Sequence, residues 1–299
     1  DYSKQFKANY SFVRKVIVTL FIIKKFKPDV IQTHLFEGSV VGLIAGRLAN
    51  IPVVHTRHHI DEHYQNGTFL HRFVDRVVAK HSSHVIVCSE AAKKWLIDIE
   101  GIKGIHITVI NQGFDFKYLN PSPASIAKVR RQLNFSESKL NVICVARYSK
   151  VKGQNYLLLA LIEIIKTLPN ISLTFMGPGD SDWLVKMVDN LGLEAYVKIL
   201  PSRNDVPACI AASDLIIHPS LADSFSQLLI EAQAVGGLLI ASDIAAAREQ
   251  ILDGVTGLIV PPRDPQAIVR AVQRLIGNRE LAASIRSRGP IHVREEFSW

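Results

Sequence analysis

The chain has 299 residues, 48% of them hydrophobic and 21% charged, with a formal net charge of +8. That length exceeds one ordinary hydrophobic core and predicts two domains, and the composition excludes a disordered chain. The positive charge does not read as a nucleic-acid surface, because there is no nucleic-acid motif and no run of basic residues interleaved with aromatics across the rest of the chain.

The charge is concentrated at the start. Residues 1–28 hold Lys4, Lys7, Arg14, Lys15, Lys24, Lys25 and Lys27 against the single acid Asp1. The apolar run Val16 to Ile23 is too short to span a bilayer, which needs about 20 apolar residues. Two readings stand for this segment. It is a basic stretch lying on an anionic membrane surface, or a surface helix whose stripe of Val13, Val16, Ile17, Leu20 and Ile23 packs on a sheet. The three cysteines, Cys88, Cys144 and Cys209, lie in or beside apolar runs and read as buried reduced thiols, not as a disulfide framework or a metal site. With no secretory signal pattern, the expected location is cytoplasmic, peripheral at the inner membrane face under the first reading.

In chain order, a helix is predicted from Tyr10 to Phe26, ending before Pro28. A buried strand follows at Asp29–His34, then a helix at Gly38–Ala49 and a strand at Val53–Thr56. Phe69–Lys80 reads as a helix, His84–Cys88 as a strand, and Ser89 as the cap of a helix at Glu90–Ile97. Ile107–Ile110 is a strand ending in the turn Asn111-Gln112-Gly113. This alternation predicts a parallel sheet in residues 1–118. Residues 119–139, turn-rich at first and then a polar helix at Ala124–Leu133, read as a linker. From 140 to 299 the alternation resumes, with strands at Asn141–Ala146, Ser172–Met176, Val197–Leu200, Leu215–His218, Leu238–Ala241 and Gly257–Val260. The helices between them are expected at Gln154–Thr167, Trp183–Leu191, Asp205–Ala212, Gln227–Val235 and Ala246–Leu252, with a last one at Pro265–Ile276. The fold class is α/β, two doubly wound Rossmann-like domains facing across a cleft.

Three places in the second half suit chemistry. Arg147 and Lys152-Gly153 follow a buried strand, where two cations suit an anion such as a diphosphate or are ordinary loop cations. Gly177, in Met176-Gly177-Pro178-Gly179, follows the next strand and permits close approach of a ligand or of the facing domain. In Pro219-Ser220-Leu221-Ala222-Asp223-Ser224-Phe225-Ser226-Gln227, a small-residue turn leads into a helix whose free amides favour a phosphate. Glu231 lies within that helix among apolar residues, so its carboxylate needs a partner: sugar and ribose hydroxyls, or an Arg or Lys. There is no dinucleotide fingerprint, P-loop or zinc motif.

Together these residues resemble family 4 of the retaining glycosyltransferases, a GT-B family, from Lys27-Pro28-Asp29 to Pro262. The most specific part is Asp223 followed by Glu231-Ala232-Gln233-Ala234-Val235-Gly236. Val145-Ala146-Arg147 with Lys152-Gly153, Gly177-Pro178-Gly179, Glu249, and Asp253-Gly254 to Pro261 follow the family's order. The resemblance implies that Arg147 and Lys152 neutralise a donor diphosphate in place of a metal ion, that Glu231 holds the ribose, that Asp223 meets the donor sugar, and that the amides of Phe225 to Gln227 approach the phosphates, with Gly177 and Ser224 beside them. Thr56-Arg57-His58 looks like the family's Thr-x-His, with His58 facing the transferring sugar. The cluster of His55, His58, His59 and His63 raises a metal site, against which the family is similar to metal-independent enzymes. Ser89-Glu90 and Asn111-Gln112-Gly113-Phe114-Asp115 match turns that shape the cleft and hinge.

Asp223 departs from the family by standing where a glutamate is usual, and Gly237-Leu238 and Ala245-Ala246-Ala247 depart too. The glycine-rich first loop is not in the sequence, which reads as truncated at both ends. The implied activity is transfer of a hexose from a UDP-sugar or GDP-sugar to a glycan or lipid-linked acceptor in polysaccharide or glycolipid assembly, with no cofactor beyond the donor. A nucleotide-sugar epimerase of the same architecture and a non-catalytic sugar-nucleotide-binding module are the alternatives.

Overall fold

The computed structural model describes residues 2–58 and 69–299, with the side chains of residues 2–10 and 105 not described. Contacts divide the chain into two units, Asp1–Asn111 and Gln112–Trp299. The expected linker, 119–139, falls within the second unit.

In the first unit α1 is Tyr2–Phe26, β1 Ile31–His34, α2 Phe36–Ala49, β2 Val53–Arg57, α3 Phe69–His81, β3 His84–Val87, α4 Glu90–Asp98 and β4 Ile107–Val109. The strands pair in parallel in the order β1-β2-β3-β4. Along β2, Val53, His55 and Arg57 are buried while Val54 and Thr56 are only partly so, the two-residue period of a pleated strand. Ser89 caps α4 as its sequence predicts, accepting a hydrogen bond from the Ala92 amide at 3.1 Å.

The second unit begins with α5 at Pro123–Gln132 and β5 at Leu140–Val145. It continues through α6 Gln154–Thr167, β6 Ile171–Met176, α7 Asp182–Asn190, β7 Val197–Leu200, α8 Val206–Ala212 and β8 Leu215–His218. The last elements are α9 Gln227–Ala234, β9 Leu239–Ser242, α10 Ala245–Gln250, β10 Leu258–Val260, α11 Pro265–Gly277 and α12 Arg279–Phe297. All six strands are parallel, in the order β10-β9-β8-β5-β6-β7. Successive residues of β5 feed opposite layers. Val142 and Cys144 pack with α6 and α11, and Ile143 packs with α5, α8 and α9. Val129, Leu133 and Phe135 of the 119–139 segment belong to that second layer.

Helix α12 is absent from the sequence reading. Gly289-Pro290 reads as a helix breaker, since proline lacks the amide and crowds the preceding turn. Here Pro290 lies inside a 19-residue helix. The helix holds because Val293 and Phe297 are buried against Leu119, Ile230 and Ala234, and because Asn278 caps its start by accepting from the Leu281 amide at 2.9 Å.

Cys144 and Cys209 are buried free thiols, and Cys88 is half-buried. No helix of the described residues is long and apolar enough to cross a membrane.

Candidate functional site

In the second unit β5 and β8 are neighbours, yet α6 leaves β5 on one face and α9 leaves β8 on the other. Diverging connections open a crevice beyond the C-terminal ends of the two strands, where doubly wound sheets take their ligands. Arg147 and Lys152 sit in the connection after β5, and Asp223 to Gln227 in the one after β8.

The two connections are locked together. The Leu221 amide donates to the Val151 carbonyl at 2.8 Å. Gly153 has φ of +68°, and a Cβ there would overlap the Pro219 carbonyl, so both conformation and contact require glycine. Gly177, after β6, likewise presses on the Ala146 carbonyl beside Arg147. The buried Gln154 side chain donates to the Arg147 carbonyl at 2.9 Å, fixing the backbone that carries this cation.

Asp223 is the centre of the cluster. Its Oδ2 lies 2.8 Å from Lys152 Nζ and 3.2 Å from His218 Nε2. Burial works to raise its pKa, but the hydrogen bond from His218 and the charge of Lys152 outweigh it and hold the carboxyl below its ordinary range. His218 is the last residue of β8, buried, with Nε2 also 3.4 Å from Ser226 Oγ. Ser224 is buried next to Asp223.

The start of α9 is held from α10. Gln250 Oε1 accepts from the Ser226 amide at 3.1 Å, and Gln250 Nε2 donates to the Ser226 carbonyl at 3.0 Å. So the Ser226 amide, expected to face an anion, is engaged by Gln250 in this structure. Phe225 stacks at 6.3 Å on Phe114 and meets Phe297 edge-on at 5.9 Å. Gln227 and Glu231 lie one turn apart on the less buried side of α9. Burial pushes the Glu231 carboxyl up to about 7. Among the described residues it has no hydrogen bond or ion pair, so the Arg or Lys partner open in the sequence is not present there.

His58 stands in the first unit, exposed just past β2. Its Nε2 is 2.9 Å from Nδ1 of His34 at the end of β1, with the rings stacked at 5.2 Å. His55 differs. It is buried on β2, 3.0 Å from Ser39 Oγ, and desolvation with the Arg57 charge lowers its pKa to about 3. Arg57 is buried too, 2.9 Å from Glu100 and 3.4 Å from Asp75. His59 and His63 lie outside the described residues. Among the described residues, no group of three or more His, Cys, Asp or Glu side chains is placed to hold a metal ion.

His218 and Gln250 are the site residues that sequence reading passed over. His218 carries a signal, a polar side chain ending a wholly buried strand. Gln250 carries none, since a glutamine at a helix end is ordinary.

Comparison with known proteins gives the family and the fold. The family described as Glycosyl transferases group 1 matches residues 125–292, and Glycosyltransferase Family 4 matches residues 3–118. A D-inositol 3-phosphate glycosyltransferase of Rhodococcus erythropolis is 27% identical over 291 residues, covering 91% of this chain and 65% of the relative. One from Mycobacterium ulcerans is 27% identical over 288 residues, with 61% of it covered. The chain thus spans less than two thirds of these curated relatives. Among solved structures, Anabaena HepE in complex with UDP-glucose superposes with a TM-score of 0.87 at 28% identity, over 95% of this chain and 78% of that one. Sucrose-phosphate synthase from Thermosynechococcus elongatus, at 24% identity and a TM-score of 0.84, shares the fold. The expected α/β, GT-B class is therefore that of this chain.

Proposed function

The chain belongs to the group 1 glycosyl transferases, and from that premise we propose that it moves a hexose, with retention, from a nucleotide diphosphate sugar to a hydroxyl acceptor. The observation that carries this is the cationic and acidic cluster of Lys152, Asp223 and His218 at the β5–β8 crevice, with Arg147 on the adjoining loop. The bond between the sugar anomeric carbon and the diphosphate oxygen breaks, and the leaving diphosphate keeps the electron pair. The acceptor oxygen bonds to the same face of that carbon, and its proton passes to the departing phosphate. Arg147 and Lys152 carry the leaving charge, which makes a metal ion unnecessary. Glu231 receives the ribose hydroxyls, Asp223 a hydroxyl of the transferring sugar, and His58 also serves that sugar. The Phe225 and Gln227 amides, with Ser224 and Ser226, line the phosphates, and Gly177 leaves them room. Neither an epimerase nor a binding-only module is favoured by a specific observation.

UDP is the better supported nucleotide, since the HepE structures hold UDP and UDP-glucose. The acceptor class is a glycan or a lipid-linked sugar, in polysaccharide or glycolipid assembly. Peripheral contact with an anionic membrane fits α1, where Lys24 and Lys25 end a helix that exposes Val13, Ile17, Phe21 and Phe26. Vesicles with and without anionic lipid test that contact: equal co-sedimentation at low salt rejects it.

The test of the main reading is calorimetry with UDP, GDP and ADP and their sugars, followed by product analysis with EDTA present. Binding of one nucleotide, and sugar transfer that survives chelation, is the expected result. Binding of none removes the donor site, and loss of transfer with EDTA removes the metal-independent step.

A further inference from the structure

The geometry points to His218 as the positioning residue for Asp223, a role that rests on the reading of the crevice as a nucleotide-sugar site. His218 ends a central strand, paired in register with Ala241 of β9, so its backbone is fixed. Nε2 is 3.2 Å from Asp223 Oδ2, while Nδ1 is buried with no hydrogen-bond partner among the described residues. Nε2 also lies 3.4 Å from Ser226 Oγ, so Asp223 is the nearer of its two partners. Asp223 is a carboxylate and accepts only, so Nε2 carries the proton and donates it. Nδ1 makes no competing bond, among the described residues, that would turn the ring away from Asp223.

Lys152 grips the same Oδ2 at 2.8 Å. The two anchors differ in kind. Lysine is a point charge on a flexible four-carbon stem, and on arrival of a diphosphate its ammonium is drawn to the stronger anion. The imidazole has only two side-chain torsions and no phosphate to follow. It therefore keeps Oδ2 occupied when Lys152 turns away, and leaves Oδ1 to accept from a sugar hydroxyl. Orientation matters more here than with a glutamate, because the aspartate is one methylene shorter and has less room to correct its aim. His218 thus acts on recognition of the sugar and not on recognition of the nucleotide.

The experiment compares the full chain with His218→Leu and His218→Gln, measuring by calorimetry the Kd for UDP against UDP-glucose and for GDP against GDP-mannose. The Gln side-chain amide reaches the place of Nε2. In His218→Leu the nucleotide Kd stays within about twofold of wild type while the nucleotide-sugar Kd rises about tenfold or more, and His218→Gln restores it to within about threefold. If the Leu variant does not fold, His218→Asn, whose amide stops short of Oδ2, takes its place with the same expected loss. Equal weakening of nucleotide and nucleotide sugar, no weakening of either, or failure of Gln to restore binding overturns the assignment. Wild-type protein that binds neither pair overturns the crevice reading first and the His218 role with it, and that result is seen before any variant is made.

Discussion

Lys152 Nζ stands 2.8 Å from Asp223 Oδ2, joining residues 71 apart in the sequence. Both side chains are 16% exposed, so the pair is neither a screened surface contact nor a fully desolvated one. If Lys152 meets the donor diphosphate, removing it costs a charge-assisted bond to the second phosphate, about 1.5–3 kcal/mol. Lys152→Ala is expected to weaken nucleoside diphosphate about 10- to 100-fold and the matching monophosphate far less, read by calorimetry. Equal losses for the two nucleotides would mean that Lys152 serves only the fold.

Glu231 predicts a pH dependence of stability with a definite sign. Its folded pKa, about 7, lies above the ordinary 4.5 because burial disfavours the charge. The folded state therefore binds the proton more tightly than the unfolded chain. The stabilisation is complete below about pH 4.5 and is lost as pH rises through 7. Glu231→Gln stays neutral throughout. From pH 5 to pH 8 the wild type should lose about 2 kcal/mol relative to the variant, a few degrees of Tm. Parallel Tm curves for the two proteins across that range would refute it.

The glycines of the crevice are expected to be intolerant for a stated reason. Alanine at 153 meets both a φ of +68° and the Pro219 carbonyl, and alanine at 177 meets the Ala146 carbonyl. Neither obstacle is a flexible side chain that can swing aside. Gly153→Ala and Gly177→Ala should each cost about 2–4 kcal/mol in urea unfolding, and nucleotide affinity should fall with them. Alanine at Gly192, which has a φ of +64° but nothing within 4 Å, should cost about 1 kcal/mol.

The alternation of elements was legible because their boundaries carry local chemistry. Helix α6 runs from Gln154 to Thr167 as expected, since Gly153 and Leu168-Pro169 punctuate it. The Lys152–Asp223 contact was not legible. It depends on β5 lying beside β8, and strand order is a tertiary fact that local pattern does not encode. Helix α12 was hidden by Gly289-Pro290, whose local penalty is offset by the burial of Val293 and Phe297. His55 and His58 show the same division. Pleating buries His55, while His58, past the strand end, is released from that alternation.

That division yields the last prediction. His55 lies inside the sheet with its pKa lowered to about 3, so it stays neutral and packs, whereas His58 is exposed and stacked on His34. If His58 meets the transferring sugar, His58→Ala should lower kcat for sugar transfer about 10- to 100-fold while leaving thermal stability and nucleotide Kd nearly unchanged, because an exposed truncation makes no cavity. His55→Ala should do the reverse, lowering Tm by several degrees, since it empties a buried site and strips Ser39 Oγ of a partner at 3.0 Å. His34→Ala should fall between on kcat, as it removes only the ring that orients His58. A His58→Ala enzyme with wild-type kcat takes His58 out of the reaction.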